Sequence, residues 1–208
     1  MKIDVSLKII LIFLSVYLLY KVNLYSIFFI SIVLHELAHA ILGLLLGLKI
    51  KKIRVNPLGI NLEFMSFREK NRIGKKIAIY LIGPLFNFLI AFVCYKININ
   101  YNLKLNIVYT NLVLGFFNLL PILPLDGGKI FKEILNYFFG YKKSNIIVLN
   151  ISKVFLILFS LLYSILIFKV KNIFIFFVIV YLWYLYYVEE KKLATVIKVY
   201  NILEKVNV

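Results

Sequence analysis

The chain has 208 residues, 63% of them hydrophobic, with a mean hydropathy of +0.95 and a formal net charge of +16. Soluble domains are roughly 45–50% apolar, so a water-soluble core cannot hide this much apolar surface, and the chain reads as a polytopic membrane protein. Such basicity in a soluble protein would point to nucleic acid. Here the basic residues fall between apolar segments and no nucleic-acid motif is present, so the charge is read as membrane topology and no nucleic-acid partner is expected.

A helix crossing the ~30 Å hydrocarbon core needs about 20 residues. Candidate spans are 4–20, 24–48, 77–95, 105–125, 146–168 and 172–188. The predicted fold is therefore an all-α membrane protein of about six transmembrane helices, with a short membrane-surface β element between the second and third. Asp4 and Lys8 shorten the apolar part of the first span. No small-residue cleavage site follows Tyr20, which favours an uncleaved span over a signal peptide.

The second span carries His35-Glu36-Leu37-Ala38-His39. On a helix, residues i and i+4 share a face, so both imidazoles can reach one metal ion. Glu36 lies beside that face and can hold the attacking water as general base. Zinc would lower that water's pKa towards ~7 and polarise a carbonyl. The bland alternative is a chance match whose polar groups are satisfied by neighbours. Three ionisable groups inside a span argue against it, because such groups are costly in hydrocarbon and mark function.

Between the second and third spans, Lys49 to Arg54 alternates basic and apolar residues, and Asn61 to Phe67 partly alternates. Pro57 and Gly59 lie between, so 49–67 reads as a short β-hairpin or two strands. The competing reading is an irregular basic loop drawn to anionic lipid. The third span contains Gly83-Pro84-Leu85-Phe86-Asn87 and the lone Cys94, which excludes an intrachain disulfide and a cysteine-based zinc site.

A catalytic zinc usually has three protein ligands and an open position. The chain has only two histidines, so the third ligand must be acidic. Asp126 stands out, at the end of Asn118-Leu119-Leu120-Pro121-Ile122-Leu123-Pro124-Leu125-Asp126-Gly127-Gly128. The prolines break the helix and the glycines free the backbone. Irregular backbone at membrane depth is tolerated only when packed in protein or lining a wet cavity. Asp126 can also serve as N-cap of a helix over 127–139.

Charge then orients the spans. The N-terminus, the 49–76 and 126–145 connections and the tail carry 19 lysines and arginines, against 5 on the opposite side. This places both termini in the cytoplasm. The second span then runs from outside to inside. His39 lies nine residues before Leu48, or ~14 Å below that end at 1.5 Å per residue. Water and peptide would reach the metal from the cytoplasm.

The two motifs together, with Gly83-Pro84-x-x-Asn87 as a third element, resemble the site-2 proteases, which are intramembrane zinc metalloproteases. The resemblance covers roughly residues 24–140. It implies one zinc ion held by His35, His39 and Asp126, with Glu36 as base and Asn118 holding substrate or the developing oxyanion. An interhelical hydrogen bond is the structural alternative for Asn118, and Asn87 reads as a packing partner of Gly83 and Pro84. Within the family, the short chain and its Pro-Ile-Leu-Pro-Leu-Asp-Gly-Gly stretch look most similar to sporulation members, which remove the pro-sequence of pro-sigma-K. That implies a membrane-associated protein substrate, inhibitory membrane partners, and residence in a bacterial cell or forespore membrane. The expected domains are a metalloprotease domain over 1–190 and a short cytoplasmic tail over 191–208, with one helix from Lys191 to Val206 and no CBS or PDZ domain. Three other readings stand beside this one: action on another membrane-tethered regulator such as an anti-sigma factor, a non-proteolytic metal-binding or transport protein, and a catalytically idle scaffold.

Overall fold

The computed structural model describes residues 2–5, 22–48, 50–56, 59–64, 73–170 and 173–206. Its elements are β1 (Lys2–Val5), α1 (Val22–Leu45), β2 (Ile50–Asn56), β3 (Gly59–Phe64), α2 (Ile73–Lys96), α3 (Tyr101–Asn118), α4 (Asp126–Val170) and α5 (Ile173–Val206). They form two compact units, Met1–Leu119 and Leu120–Val208.

In the first unit, α1, α2 and α3 pack on one another and α1 also meets β3. The strands form one sheet in the order β1-β2-β3. β2 and β3 pair antiparallel, with Ile53 opposite Leu62 and Asn56 opposite Gly59. β1 adds to β2 in parallel, with Ile3 opposite Ile53. α2 and α3 are joined by residues 97–100 only, a length that makes them antiparallel neighbours. Asn100 starts α3: its side-chain oxygen accepts from the Asn102 and Leu103 N–H groups, which would otherwise lack helical partners.

Burial in these helices is inverted relative to a soluble protein. In α2 the buried positions Ile79, Gly83, Asn87 and Ala91 recur every fourth residue and so share one face. Leu85, Leu89, Phe92 and Tyr95 point outward. In α1 the buried face holds Ser31, His35 and His39, while Phe29, Ile30, Ile41 and Leu44 are exposed. Polar and small residues inside with large apolar ones outside is the pattern for helices whose solvent is lipid. Among the described residues, three helical stretches are long and apolar enough to cross a membrane: Ser26–Leu45, Ile73–Lys96 and Asp126–Ile165. The chain is an integral membrane protein.

The second unit opens with a turn over residues 120–125 and continues into α4 and α5, which pack together. Gly140 breaks α4 with φ 74°, a left-handed value that suits glycine, and so separates an arm beginning at Asp126 from the longer apolar part. Leu123, Val148 and Leu193 form an apolar core between the turn, α4 and α5. Trp183 Nε1 donates to Ser160 Oγ across the two helices at 3.0 Å.

Three sequence expectations need correction. Residues 4–5 of the expected first span belong to β1, and 6–20 lie outside the described residues. The expected fourth span, 105–125, is helical only to Asn118, because the Pro121 and Pro124 segment cannot continue the ladder. The expected span 172–188 and the expected separate tail helix Lys191–Val206 are one helix, since α5 runs unbroken from Ile173 to Val206.

Candidate metal centre

His35 and His39 are both buried on the inner face of α1. Their Nε2 atoms lie 3.1 Å apart. Two nitrogens each ~2.0–2.1 Å from one tetrahedral zinc would be ~3.3 Å apart, so the pair already converges on one point at near-ligand spacing. The donor set fits zinc.

Two features of α2 hold the pair in that arrangement. His39 Nδ1–H donates to the Ile79 carbonyl, which fixes the tautomer and leaves Nε2 as the nitrogen with a lone pair. Gly83 lies against both rings. A Cβ built there would sit 2.3 Å from His39 Nε2 and 2.7 Å from His35 Cε1, so any larger residue would enter the space of the imidazoles. Pro84 follows inside the helix and brings no N–H to the turn that begins at Tyr80. The Gly-Pro pair thus shapes the wall of the histidine site, which sequence reasoning had placed only as packing.

The same interior continues away from the histidines. Asn111 Nδ2 donates to Ser31 Oγ at 3.0 Å and to the Ile107 carbonyl at 2.9 Å, tying α3 to α1. Asn87 is fully buried, and neither atom of its amide meets a hydrogen-bond partner among the described residues. Sequence reasoning missed the Ser31–Asn111 tie. Its only signal was the spacing of Ser31 four residues before His35, on the same helical face.

Glu36 is half-buried next to the pair. Asn118 is the last residue of α3, and its Nδ2 donates to the Leu114 carbonyl at 3.1 Å. One amide hydrogen is thus used within the helix, and the second is left to donate elsewhere.

Asp126 lies in the second unit. Lys129 N donates to the Leu125 carbonyl at 3.0 Å, so Leu125 holds the N-cap position and Asp126 is the first helical residue. This corrects the expected N-cap role. The buried carboxylate benefits from the positive end of the helix. Lys129 Nζ pairs with Asp126 Oδ1 at 3.0 Å. That partner was readable as an i, i+3 spacing, but the sequence analysis did not single it out.

Comparison with known proteins agrees with this chemistry. The chain matches peptidase family M50 over residues 24–104 and 96–162, more than half its length. It is 37% identical over 164 residues to a zinc metalloprotease of Methanocaldococcus jannaschii, covering 74% of this chain and 47% of that protein. It is 27% identical over 131 residues to stage IV sporulation protein FB of Bacillus subtilis, covering 61% of this chain and 45% of that protein. The chain therefore spans about half the length of these curated relatives. The solved structure of the site-2 protease from Methanocaldococcus jannaschii superimposes with a TM-score of 0.66 at 28% identity, covering 88% of this chain and 86% of that one.

Proposed function

Because this chain belongs to peptidase family M50, we propose that it is a zinc-dependent endopeptidase that cuts a membrane-associated protein within the bilayer, near the cytoplasmic face. The observation that carries this reading is the pair of buried imidazoles 3.1 Å apart on a membrane helix, with one ring locked by the Ile79 carbonyl and Glu36 beside them. His35, His39 and Asp126 are the ligands. Each is buried within its own unit, and together they would supply the three protein ligands that a catalytic zinc site usually has.

When bound, zinc supplies Lewis acidity, polarising the scissile carbonyl and bringing a water's pKa towards ~7. Glu36 takes a proton from the attacking water and passes it to the departing amine. The spare Asn118 amide hydrogen bonds the carbonyl oxygen as negative charge develops there, a contribution of ~3–4 kcal/mol for one preorganised donor. The edge strand β3 gives an extended substrate segment a place to pair, because a helical segment hides its carbonyls.

The topology supporting this reading has six spans and cytoplasmic termini, argued from the 19-to-5 basic split. The sheet would then lie at the cytoplasmic surface, and residues 1–190 would form the protease domain with the end of α5 as its tail. The substrate class is a membrane-associated regulator. A pro-sigma-K-type precursor is the first choice, supported by the similarity to stage IV sporulation protein FB. The test is co-expression of such a precursor with wild type or Glu36→Gln. Loss of the precursor's N-terminal segment with wild type alone is expected. Equal processing by both would sink the role of Glu36, and no processing by either would reject this substrate.

A further inference from the structure

The turn that delivers Asp126 is held from within its own unit, and one side chain far along the sequence does much of the holding. Ser152 lies on the apolar part of α4 and is fully buried. Its Oγ accepts the backbone N–H of Leu123 at 3.0 Å. Its own proton goes to the Val148 carbonyl at 2.8 Å, so the lone pairs remain available to Leu123. Leu123 stands three residues before Asp126. The Leu125 N–H closes onto the Ile122 carbonyl at 2.8 Å, so the turn is compact up to the residue preceding Asp126.

Two further contacts make this turn stiff. A Cβ on Gly128 would sit 2.5 Å from the Ile122 carbonyl carbon and 2.7 Å from Leu123 N, so the helix arm touches the turn backbone directly. The Leu123 side chain is buried against Val148 and Leu193. With the other sides packed by backbone and apolar groups, the Ser152 hydroxyl supplies the polar anchor for the buried Leu123 N–H. A backbone N–H in such a place must be paired.

We propose that Ser152 is a positioning residue for Asp126: it fixes the 121–125 turn and thereby the carboxylate's approach to zinc. This rests on the reading of Asp126 as a ligand. The partners that orient metal ligands typically cost 10–100-fold in metal affinity when removed.

The test is zinc affinity by chelator competition, measured on the full chain in detergent micelles. Ser152→Ala keeps the helix, since alanine is the best helix former, and circular dichroism checks that it has. Ser152→Thr retains the hydroxyl. The expected result is zinc binding weakened about 10–100-fold in Ser152→Ala, as for other orienting partners, with Ser152→Thr close to wild type. A merely structural role would lower the thermal midpoint of the metal-free protein and leave zinc affinity unchanged, and that result overturns the proposal. Asp126→Ala is measured alongside. If it binds zinc like wild type, the ligand assignment itself has failed, and the proposal with it, whatever Ser152→Ala does.

Discussion

Gly83→Ala should abolish tight zinc binding without touching a ligand. The added methyl carbon would lie 2.3 Å from His39 Nε2, 2.6 Å from His39 Cε1 and 2.7 Å from His35 Cε1. Ordinary contacts between such atoms are ~3.5–4.0 Å, so the rings must retreat by about 1 Å. His39 cannot swing away cheaply, because its Nδ1 is bonded to the Ile79 carbonyl. Overpacking a well-filled interior costs ~1–3 kcal/mol, and losing that hydrogen bond adds ~1 kcal/mol. A total of ~2–4 kcal/mol corresponds to roughly 30- to 1000-fold weaker zinc binding. The helix itself should gain, since alanine is favoured over glycine by ~1 kcal/mol inside a helix. The assay is chelator competition on wild type and Gly83→Ala in micelles, with circular dichroism as the control for folding. Wild-type zinc affinity in a folded Gly83→Ala protein would refute the claim that this glycine clears space for the imidazoles.

Other expectations follow from single contacts. Ser31→Ala leaves the Asn111 amide with one partner fewer in a buried place, so the thermal stability should fall by ~1–3 kcal/mol. Asn87→Leu removes a buried amide that has no partner among the described residues and should raise the thermal midpoint. A fall would show that the amide is satisfied by a group such as an internal water. Leu62→Pro removes a backbone donor opposite Ile53 and should lower cleavage while zinc stays bound. Unchanged cleavage would exclude strand pairing at β3. Trp183→Phe loses the bond to Ser160 and should loosen α5 from α4 by about 1 kcal/mol, read as a lower thermal midpoint.

The motifs behind the proposed metal chemistry were readable because their signal is local. His35 and His39 sit at helical spacing in an apolar run, and Asp126 follows a proline-broken stretch. The arm beginning at Asp126 could also be bounded, since its end at Gly140 falls just after the expected Phe139. What escaped notice depends on residues distant in sequence. β1 has only four residues, too few for a two-residue period to show, and its partner β2 lies almost fifty residues on. The roles of Gly83 and Gly128 appear only when another segment's atoms are placed beside them. The ties of Ser31 to Asn111 and of Ser152 to Leu123 join residues 80 and 29 positions apart. A serine in an apolar helix reads the same whether or not it anchors a turn. The run of α5 through Glu190 was missed because the change from apolar to charged composition looked like a boundary.

The most direct measurement of the central claim is metal content and peptide hydrolysis on the same purified wild-type protein. Elemental analysis should find one zinc per chain, and cleavage should stop on chelation and return with added zinc. A folded preparation that cleaves without bound metal, or binds zinc with no chelator-sensitive hydrolysis of any membrane-tethered substrate, would contradict the assignment of zinc-dependent intramembrane proteolysis.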